Sequence, residues 1–598
     1  MSEVNPPVGR TGKIKPSLSK GTRDFLPAEV AKRNYIFDTI KTVFRKYGFE
    51  QIETPAIERL ETLTGKYGEE GDKLLFKILE SGDFLGKVRK NEELVKRLSR
   101  IQNLLYDVLT GLASTIRYDK IYQESKSIER LSKVFRRTYK REIFNWDLYL
   151  EPNDTAEVTS YFDNNIGTII DSLHRVLGRQ EVLDEKSLKH YLRIFRDTVI
   201  VERILPRVLD YIDYKEIVYD VTEKGLRYDL TVPLARYVVQ HQDDLAFPFK
   251  RFHIGPVWRA DRPQKGRYQE FYQCDADVIG SNSLLNEVEL TKIYVEVFEK
   301  LGVEVTVYVN SRKILKAIAE KFDIGEDAAQ FFSAIDTYDK LGMQGVLGDL
   351  DRKGIIANES DKQKEFVSFF ETYTTTLQQS NSWEEIKEHL KTFLPQTESG
   401  GEDIFEVCKY FQPKDVALNP FLARGLDYYT GVIWEVVLDY RANYNITMGS
   451  LGGGGRYDNL TEMFGGQNMS GVGISFGIER IYDVMEELNL FPETISQGVK
   501  VLFVPFNDKD EEKFVLYQTF AFEQVQKLRA ENVSAEIFLG NVKKQKQFNY
   551  AEQKNISYLV EVGDNEIRSQ KFRLRNAKTR DTQNDLSIQN IIEILNKG

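Results

Sequence analysis

At 598 residues, with 41% hydrophobic and 12% aromatic content, the chain is long enough for several separately cored domains. Its 82 Lys plus Arg against 92 Asp plus Glu give a net charge of −10, which excludes a surface basic all round and leaves nucleic-acid contact to local patches. Two cysteines, Cys274 and Cys408, exclude a disulfide framework or a CxxC zinc site, no run of about 18 apolar residues offers a membrane span, and the first residues lack the apolar core of a secretory signal; together these point to the cytoplasm.

In chain order, residues 1–18 read as a basic, flexible leader, and Lys20–Pro27 opens the folded part. Tyr35, Ile36, Ile40, Val43 and Phe44 recur at helical spacing within Val30–Tyr47, and Gly48 stops that helix. Phe49–Glu58 is extended, with Pro55 confining it to a sheet edge or a strand end. Asp72–Leu85 predicts a strand pair. Residues 87–218 carry helical periodicity, as at Leu94, Leu98, Ile101, Leu104, Leu105 and Val108, and Glu151–Glu157 divides them into two halves. Between Lys87 and Arg141, 15 Lys plus Arg stand against 6 Asp plus Glu, a local charge of +9. That composition suits either a phosphate-facing surface or a solvated helical appendage.

Leu226–Tyr237, LRYDLTVPLARY, reads as a strand-like apolar run holding Asp229 and Thr231. Those two side chains either sit on a solvated face or receive a ligand ammonium. Lys250–Asp277 reads as two strands joined by a basic loop: Phe252, Ile254, Val257 and Trp258, then Phe271, Tyr272 and Cys274. Between them lie Arg259, Arg262, Pro263, Lys265, Gly266 and Arg267. Guanidinium forks bind carboxylate and phosphate, although an ordinary hairpin with a solvated loop has the same composition. Val303–Leu315 reads as a strand entering a helix, and residues 313–412 as mainly helical, with Phe322, Phe331, Leu341, Leu347, Phe366, Phe369 and Phe370 as apolar anchors.

Ala423–Val437 places Arg424 at the entrance of the strand Val432–Val437. There a cation meets developing negative charge, or else forms a surface salt bridge. The glycine run Gly449–Leu460 is not a dinucleotide fingerprint, because no long helix with a ribose-binding acid follows; it suits close backbone approach to a ligand. Gly471–Leu488 is a strand followed by an amphipathic helix from near Ile478, with Arg480 close to its start. After a linker, Phe491–Gly498, β and α units alternate to the end and predict a sheet with helices on its faces. Its basic residues Lys543, Lys544, Lys546, Lys571, Arg573 and Arg575 either track phosphates or are solvated.

The string RADRPQKGRYQEFYQ (Arg259–Gln273) resembles motif 2 of class II aminoacyl-tRNA synthetases, and RGLDYYTG (Arg424–Gly431) resembles a signature of the histidyl-tRNA synthetases. Phe49–Glu58 with its preceding helix resembles motif 1, a dimer interface, and Gly471–Leu488 resembles motif 3. The resemblance covers about residues 19–85 and 223–598; no family counterpart of 87–218 is recognised. It implies an α+β fold: a class II synthetase antiparallel-sheet catalytic domain with helical insertions, plus a C-terminal α/β anticodon-binding domain with KKQKQFNYA as its marker helix. The implied divisions are a leader (1–18), catalytic parts at 19–86, 219–312 and 413–490, an unusual helical insertion (87–218), a helical insertion domain (313–412), a linker (491–498) and the anticodon-binding domain (499–598).

The implied activity is histidyl-adenylate formation from L-histidine and ATP with Mg2+, then transfer to tRNA(His), by a cytoplasmic homodimer that touches no membrane. Arg259 and Arg424 are the implied catalytic residues. Arg259, Arg267 and Arg480 are implied to bind ATP. Asp229, Thr231, Gln273, Asp277, Arg424, Tyr428, Tyr429 and Tyr457 are implied to hold histidine, with Asp277 and Tyr429 on the two imidazole nitrogens. Family members often have Glu where Asp277 stands, and the shorter acid is also used. Arg262, Gln264 and Lys265 are implied to reach the tRNA acceptor end, and no protein-bound metal is expected. The alternative is a non-catalytic synthetase-like regulatory subunit of histidine biosynthesis. Such proteins typically lack the anticodon-binding domain and erode the ATP-gripping arginines.

Overall fold

The computed structural model describes residues 16–64, 72–79, 222–380, 382–394, 401–413, 415–423, 429–439, 442, 446–459, 461–492, 495 and 498–597. The readings of residues 1–15, of 87–218, and of Arg424 and Tyr428 lie outside these. The helical spacing near the N-terminus becomes a helix over Pro27–Lys46 that buries Ile36, Ile40, Val43 and Phe44. Proline suits its first turn, and Gly48 ends it at a φ of 80°.

The extended stretch Phe49–Glu58 is divided between two sheets. β1 (Glu50–Gln51) joins the large sheet, while β2 (Ile57–Arg59) belongs to a separate unit, Pro55–Tyr228. In that unit β3 (Lys77–Ile78) and β2 each pair antiparallel with β4 (Lys224–Leu226).

The strand-like reading of Leu226–Tyr237 is corrected. Strand pairing ends at Leu226, and Thr231–Gln240 is a helix burying Val232, Leu234, Ala235 and Val238. The last three share one helical face, a period hidden within a short, evenly apolar run. Asp229 is therefore a helix-terminus residue: its Oδ1 accepts the Val232 N–H at 3.1 Å, where the helix dipole favours an anion.

The large sheet contains β5 (Phe249–Trp258), β6 (Glu270–Ile279), β7 (Val305–Ser311), β8 (Val416–Leu418), β9 (Val432–Leu438), β10 (Gly452–Tyr457) and β11 (Gly471–Gly477). Its order is β1-β5-β6-β11-β10-β9-β7-β8, parallel at the two outer pairs and antiparallel within. β5 and β6 pair over ten residues, from Phe249↔Ile279 to Trp258↔Glu270. Period-2 alternation assigns the faces. On β11, Val472, Ile474 and Phe476 point to the helix-covered side, leaving Gly471, Gly473, Ser475 and Gly477 on the other. Phe476 lies 5.9 Å from Phe44, 4.9 Å from Tyr294 and 5.7 Å from Phe298, ring centre to ring centre. It joins the first helix and Leu285–Leu301 to the sheet.

Residues 313–412 are mainly helical, as read, and Phe322, Phe331, Phe366, Phe369 and Phe370 lie in the core. Leu341 does not: it is 61% exposed, because the helical run breaks beside it at Gly342, whose φ is 64°. The C-terminal sheet has the order β13 (Ala535–Ile537), β12 (Val501–Pro505), β14 (Tyr558–Val562), β15 (Phe572–Asn576), β16 (Thr582–Leu586). The first three are parallel and the last two antiparallel. Val501 and Phe503 enter one core and Leu502 and Val504 another, so both faces are covered. Among the described residues no helix is long and apolar enough to cross a membrane.

Replacing Phe476 with Ala empties the junction of three aromatic side chains. The expected loss is about 3–5 kcal/mol of catalytic-domain stability, read by denaturant unfolding. A loss below about 1 kcal/mol would show that the junction relaxes around the gap.

Candidate active site

The glycine-bearing face of the large sheet forms the floor of a cavity of about 340 Å³. Strand register fixes what lies on it. Arg251 pairs with Asp277, Asp277 with Gly473, and Gly473 with Gly455. The next row runs His253, Asp275, Ser475, Gly453 and Glu435. A Cβ on Gly473 would lie 1.9 Å from Asp277 Oδ1, one on Gly455 2.7 Å from the Tyr429 ring, and one on Gly471 2.3 Å from the Tyr457 ring. Each glycine thus leaves the space occupied by a pocket side chain on the neighbouring strand or just before it. Elsewhere in the run, Gly452 leaves room for Tyr294, whose hydroxyl oxygen lies 2.8 and 3.0 Å from the Gly453 and Ser475 carbonyl oxygens and donates its one proton between them.

The cations occupy the end nearest the β5–β6 loop. Arg259 follows β5 directly; its guanidinium lies 5.1 Å from the Phe271 ring centre and 3.5 Å from Gln273 Oε1. Gln273 in turn donates to Ser475 Oγ at 2.8 Å. Arg480, in the first turn of the helix Ile478–Glu487, donates through Nε to the Gly266 carbonyl at 2.8 Å and through Nη1 to the Ser450 carbonyl at 2.7 Å. The loop is therefore tied to the same helix that flanks the cavity. Gly266, at a φ of 71°, makes that turn possible. Arg267 lies 3.7 Å from Asp261.

The carboxylates lie further along the floor. Gln273, Asp275 and Asp277 share one face of β6, about 7 Å apart at each step. Asp277 is 2% exposed; the Tyr457 hydroxyl donates to its Oδ1 at 2.5 Å and Arg251 Nη2 lies 2.7 Å from its Oδ2. Burial raises the Asp277 carboxyl, opposed by Arg251 and Tyr457. Burial pushes Asp275 up to about 7, with Arg251 opposing and Asp277 adding to the rise. At one wall, Glu479 pairs with Arg33 at 2.8 Å and accepts the Tyr272 N–H at 3.0 Å, joining the first helix to the cavity.

Of the residues singled out from sequence, Asp229, Thr231, Arg259, Arg267, Gln273, Asp277, Tyr429, Tyr457 and Arg480 line this one cavity. Arg262, Gln264 and Lys265 are exposed on the loop, where Lys265 pairs with Glu487 at 2.8 Å. Asp275, Ser475, Glu435 and Glu479 also line it and were not singled out, nor was Arg251 beneath. Alternation along β5 and β6 was the available signal: Arg251, His253, Asp275 and Asp277 are polar residues on one face of otherwise apolar strands. Among the described residues no group of three or more His, Cys, Asp or Glu side chains is placed to hold a metal ion.

A family model described as Histidyl-tRNA synthetase matches residues 21–90 and 219–481, and one described as Anticodon binding domain matches 500–598. The chain is 39% identical over 580 residues to the Histidine–tRNA ligase of Christiangramia forsetii, covering 95% of this chain and 97% of that one. It is 40% identical over 574 residues to that of Flavobacterium johnsoniae, covering 94% and 96%. With so little left unmatched, most of 91–218, which the family model passes over, falls within the span shared with these relatives. The fold is similar to that of the crystal structure of histidyl-tRNA synthetase from Nostoc sp., with a TM-score of 0.61 at 22% identity, covering 98% of this chain and 100% of that one.

The Asp275 carboxyl supplies a pH test. Its folded pKa of about 7 lies above the ordinary 3.8, so the folded state binds this proton more tightly. Its contribution is then most favourable at low pH and is lost as pH rises towards 7. Asp275→Asn removes that titration. Between about pH 5 and 8 the stability of the variant relative to the native chain should rise by about 2–3 kcal/mol, because a tenfold difference in proton affinity is worth about 1.4 kcal/mol. A pH-independent difference in denaturant midpoints would show that Asp275 is ionised throughout.

Proposed function

The chain belongs to the histidyl-tRNA synthetase family, and from that premise we propose how its pocket divides the work. The reaction is a two-step ligation. L-Histidine and ATP give histidyl-adenylate and pyrophosphate, and the histidine then passes to the 3′ end of tRNA(His). In the first step a carboxylate oxygen attacks the α-phosphorus while the bond to pyrophosphate breaks. Both reactants are anionic, so the site must supply positive charge and alignment rather than a nucleophile.

The observation that carries the division is the segregation of charge within one cavity. Arg259, Arg267 and Arg480 lie at the loop end, where Asp261 and Glu479 are already paired with Arg267 and Arg33, and Asp275 and Asp277 lie on the floor. The triphosphate takes the loop end, with Arg259 on the α-phosphate and Arg267 and Arg480 on the remainder. Arg424 bridges the histidine carboxylate and the α-phosphate. Asp229, Thr231 and Gln273 receive the α-ammonium. Asp277 and Tyr429 take the two imidazole nitrogens, with Tyr428 and Tyr457 lining the pocket. A buried polar pair rejects apolar competitors strongly, because they leave it unpaired. Magnesium carried in on ATP would neutralise phosphate charge, and no residue of this chain is assigned to hold it.

Arg262, Gln264 and Lys265, exposed on the loop, contact the tRNA acceptor end in this reading. The basic C-terminal residues, Lys543, Lys546 and Lys571 among them, are exposed to track tRNA phosphates. The chain works in the cytoplasm as a C2 homodimer through the Phe49–Glu58 region. The regulatory-subunit reading is not favoured: the match to Histidine–tRNA ligases runs nearly full length and includes the C-terminal domain.

Pyrophosphate exchange should require histidine and magnesium. Arg259→Ala and Arg424→Ala should each slow adenylate formation by at least ~100-fold, the order for removing one preorganised charge stabiliser, with Lys a poor replacement. Near-normal single-turnover rates in either variant would remove that residue from the role.

Replacing residues 87–218 by a short Gly/Ser loop should leave histidine activation nearly intact, because closure entropy grows slowly with length. The Michaelis constant for tRNA should rise and its salt dependence flatten. A tRNA constant unchanged at every salt concentration would assign the segment to no tRNA contact.

A further inference from the structure

Arg251 heads the fully buried side chains by volume among the described residues, at 0% exposed. It lies on β5 directly opposite Asp277, on the pocket face. Its Nη2 is 2.7 Å from Asp277 Oδ2 and 3.4 Å from the Leu230 carbonyl, between Asp229 and Thr231. Its Nε and Nη1 make no hydrogen bond among the described residues. Burying a guanidinium that uses so few of its five donors is a poor way to stabilise a fold, and an apolar side chain often does as well. The burial therefore calls for a reason in the pocket.

That reason lies in the company Asp277 keeps. Around it stand Arg251 from β5, Tyr457 from β10 and Asp229 before the helix Thr231–Gln240, with Gly473 of β11 directly opposite; the next row adds His253, Asp275, Ser475 and Glu435. The buried Asp229 carboxyl adds like charge to both Asp275 and Asp277, which share one buried guanidinium. Without it, burial and like charge both favour the neutral acid. A neutral acid donates through its O–H and loses one acceptor site, whereas a carboxylate accepts through both oxygens. Arg251 and Tyr457 each hold one carboxylate oxygen, and the bare Cα of Gly473 leaves Oδ1 open on the β11 side.

We propose that Arg251 is a positioning residue for amino-acid recognition, keeping Asp277 ionised and aimed so that it accepts an N–H of the substrate imidazole. This rests on the reading that Asp277 meets the imidazole, and the two are separable by experiment. Histidine and ATP dissociation constants are measured by calorimetry on the full chain at about pH 7 and about pH 8.5, a window above the ordinary imidazole pKa. On an Asp275→Asn background, which removes the other carboxyl that titrates in this window, Arg251→Met should weaken histidine by at least ~10-fold at the lower pH, leave ATP within about 2-fold, and regain histidine affinity as the pH is raised. Placed on Asp277→Asn, it should add no more than about 2-fold. Arg251→Lys keeps the charge without the fork, so its loss should be smaller and independent of pH.

Native histidine affinity in Arg251→Met, with affinity lost in Asp277→Asn, would overturn the proposal and leave the imidazole reading standing. Native affinity in both would overturn both. Equal weakening of histidine and ATP, unchanged by pH, would reduce Arg251 to a packing role and overturn the proposal. Should Arg251→Met fail to fold by circular dichroism, Arg251→Lys decides alone: selective weakening of histidine supports the proposal, and equal weakening of both ligands overturns it.

Discussion

Two adjacent strands with bare backbone are the constraint on which this site depends. Asp277 occupies volume that any side chain on Gly473 would need, since a Cβ there would lie 1.9 Å from its carboxylate oxygen. Tyr429 and Tyr457 stand in the same relation to Gly455 and Gly471. A strand stripped of side chains on one face is weak in itself. The other face compensates: Val472, Ile474 and Phe476 are buried against helices, and Tyr294 fills the space left by Gly452. The binding floor and the hydrophobic core are thus opposite sides of the same strands, and the period of two keeps them apart.

Electrostatics then divides the cavity lengthwise. In the proposed division, arginines near the loop, with Asp261 and Glu479 held by Arg267 and Arg33, take the anions, and carboxyls on the floor take an ammonium and imidazole N–H groups. Histidine joined to a nucleotide presents those features in that order. The arrangement carries a cost, since buried carboxyls repel one another and are poorly solvated. Asp275, pushed up to about 7, carries part of that cost. Such perturbed groups commonly lie at functional sites.

Much of this was legible in the sequence because the recognisable strings coincide with elements whose positions chemistry dictates. The two strands and basic loop of Lys250–Asp277 became β5, β6 and the loop tied to Arg480. The alternating C-terminal units became a sheet with two covered faces. The alternation does not extend to β16, which follows β15 with no helix between them: Thr582–Leu586 is polar and largely exposed, so no apolar pattern announces it. The helix at Thr231–Gln240 was misread because uniformly apolar short runs do not reveal their period. Leu341 was misplaced because a helical break at Gly342 is a backbone event. Arg251 and Asp275 were passed over for a different reason. A charged residue in a strand reads as solvated until register shows which residue lies across from it.

If Asp277 accepts an imidazole N–H as proposed, the bound ring is neutral and held as one tautomer in one orientation. The most direct measurement is nitrogen NMR of ring-labelled histidine bound to the full chain. The expected result is one protonated and one unprotonated ring nitrogen with distinct, tautomer-locked shifts, and loss of that signature in Asp277→Asn. Averaged shifts matching free histidine in the native complex would contradict the claim.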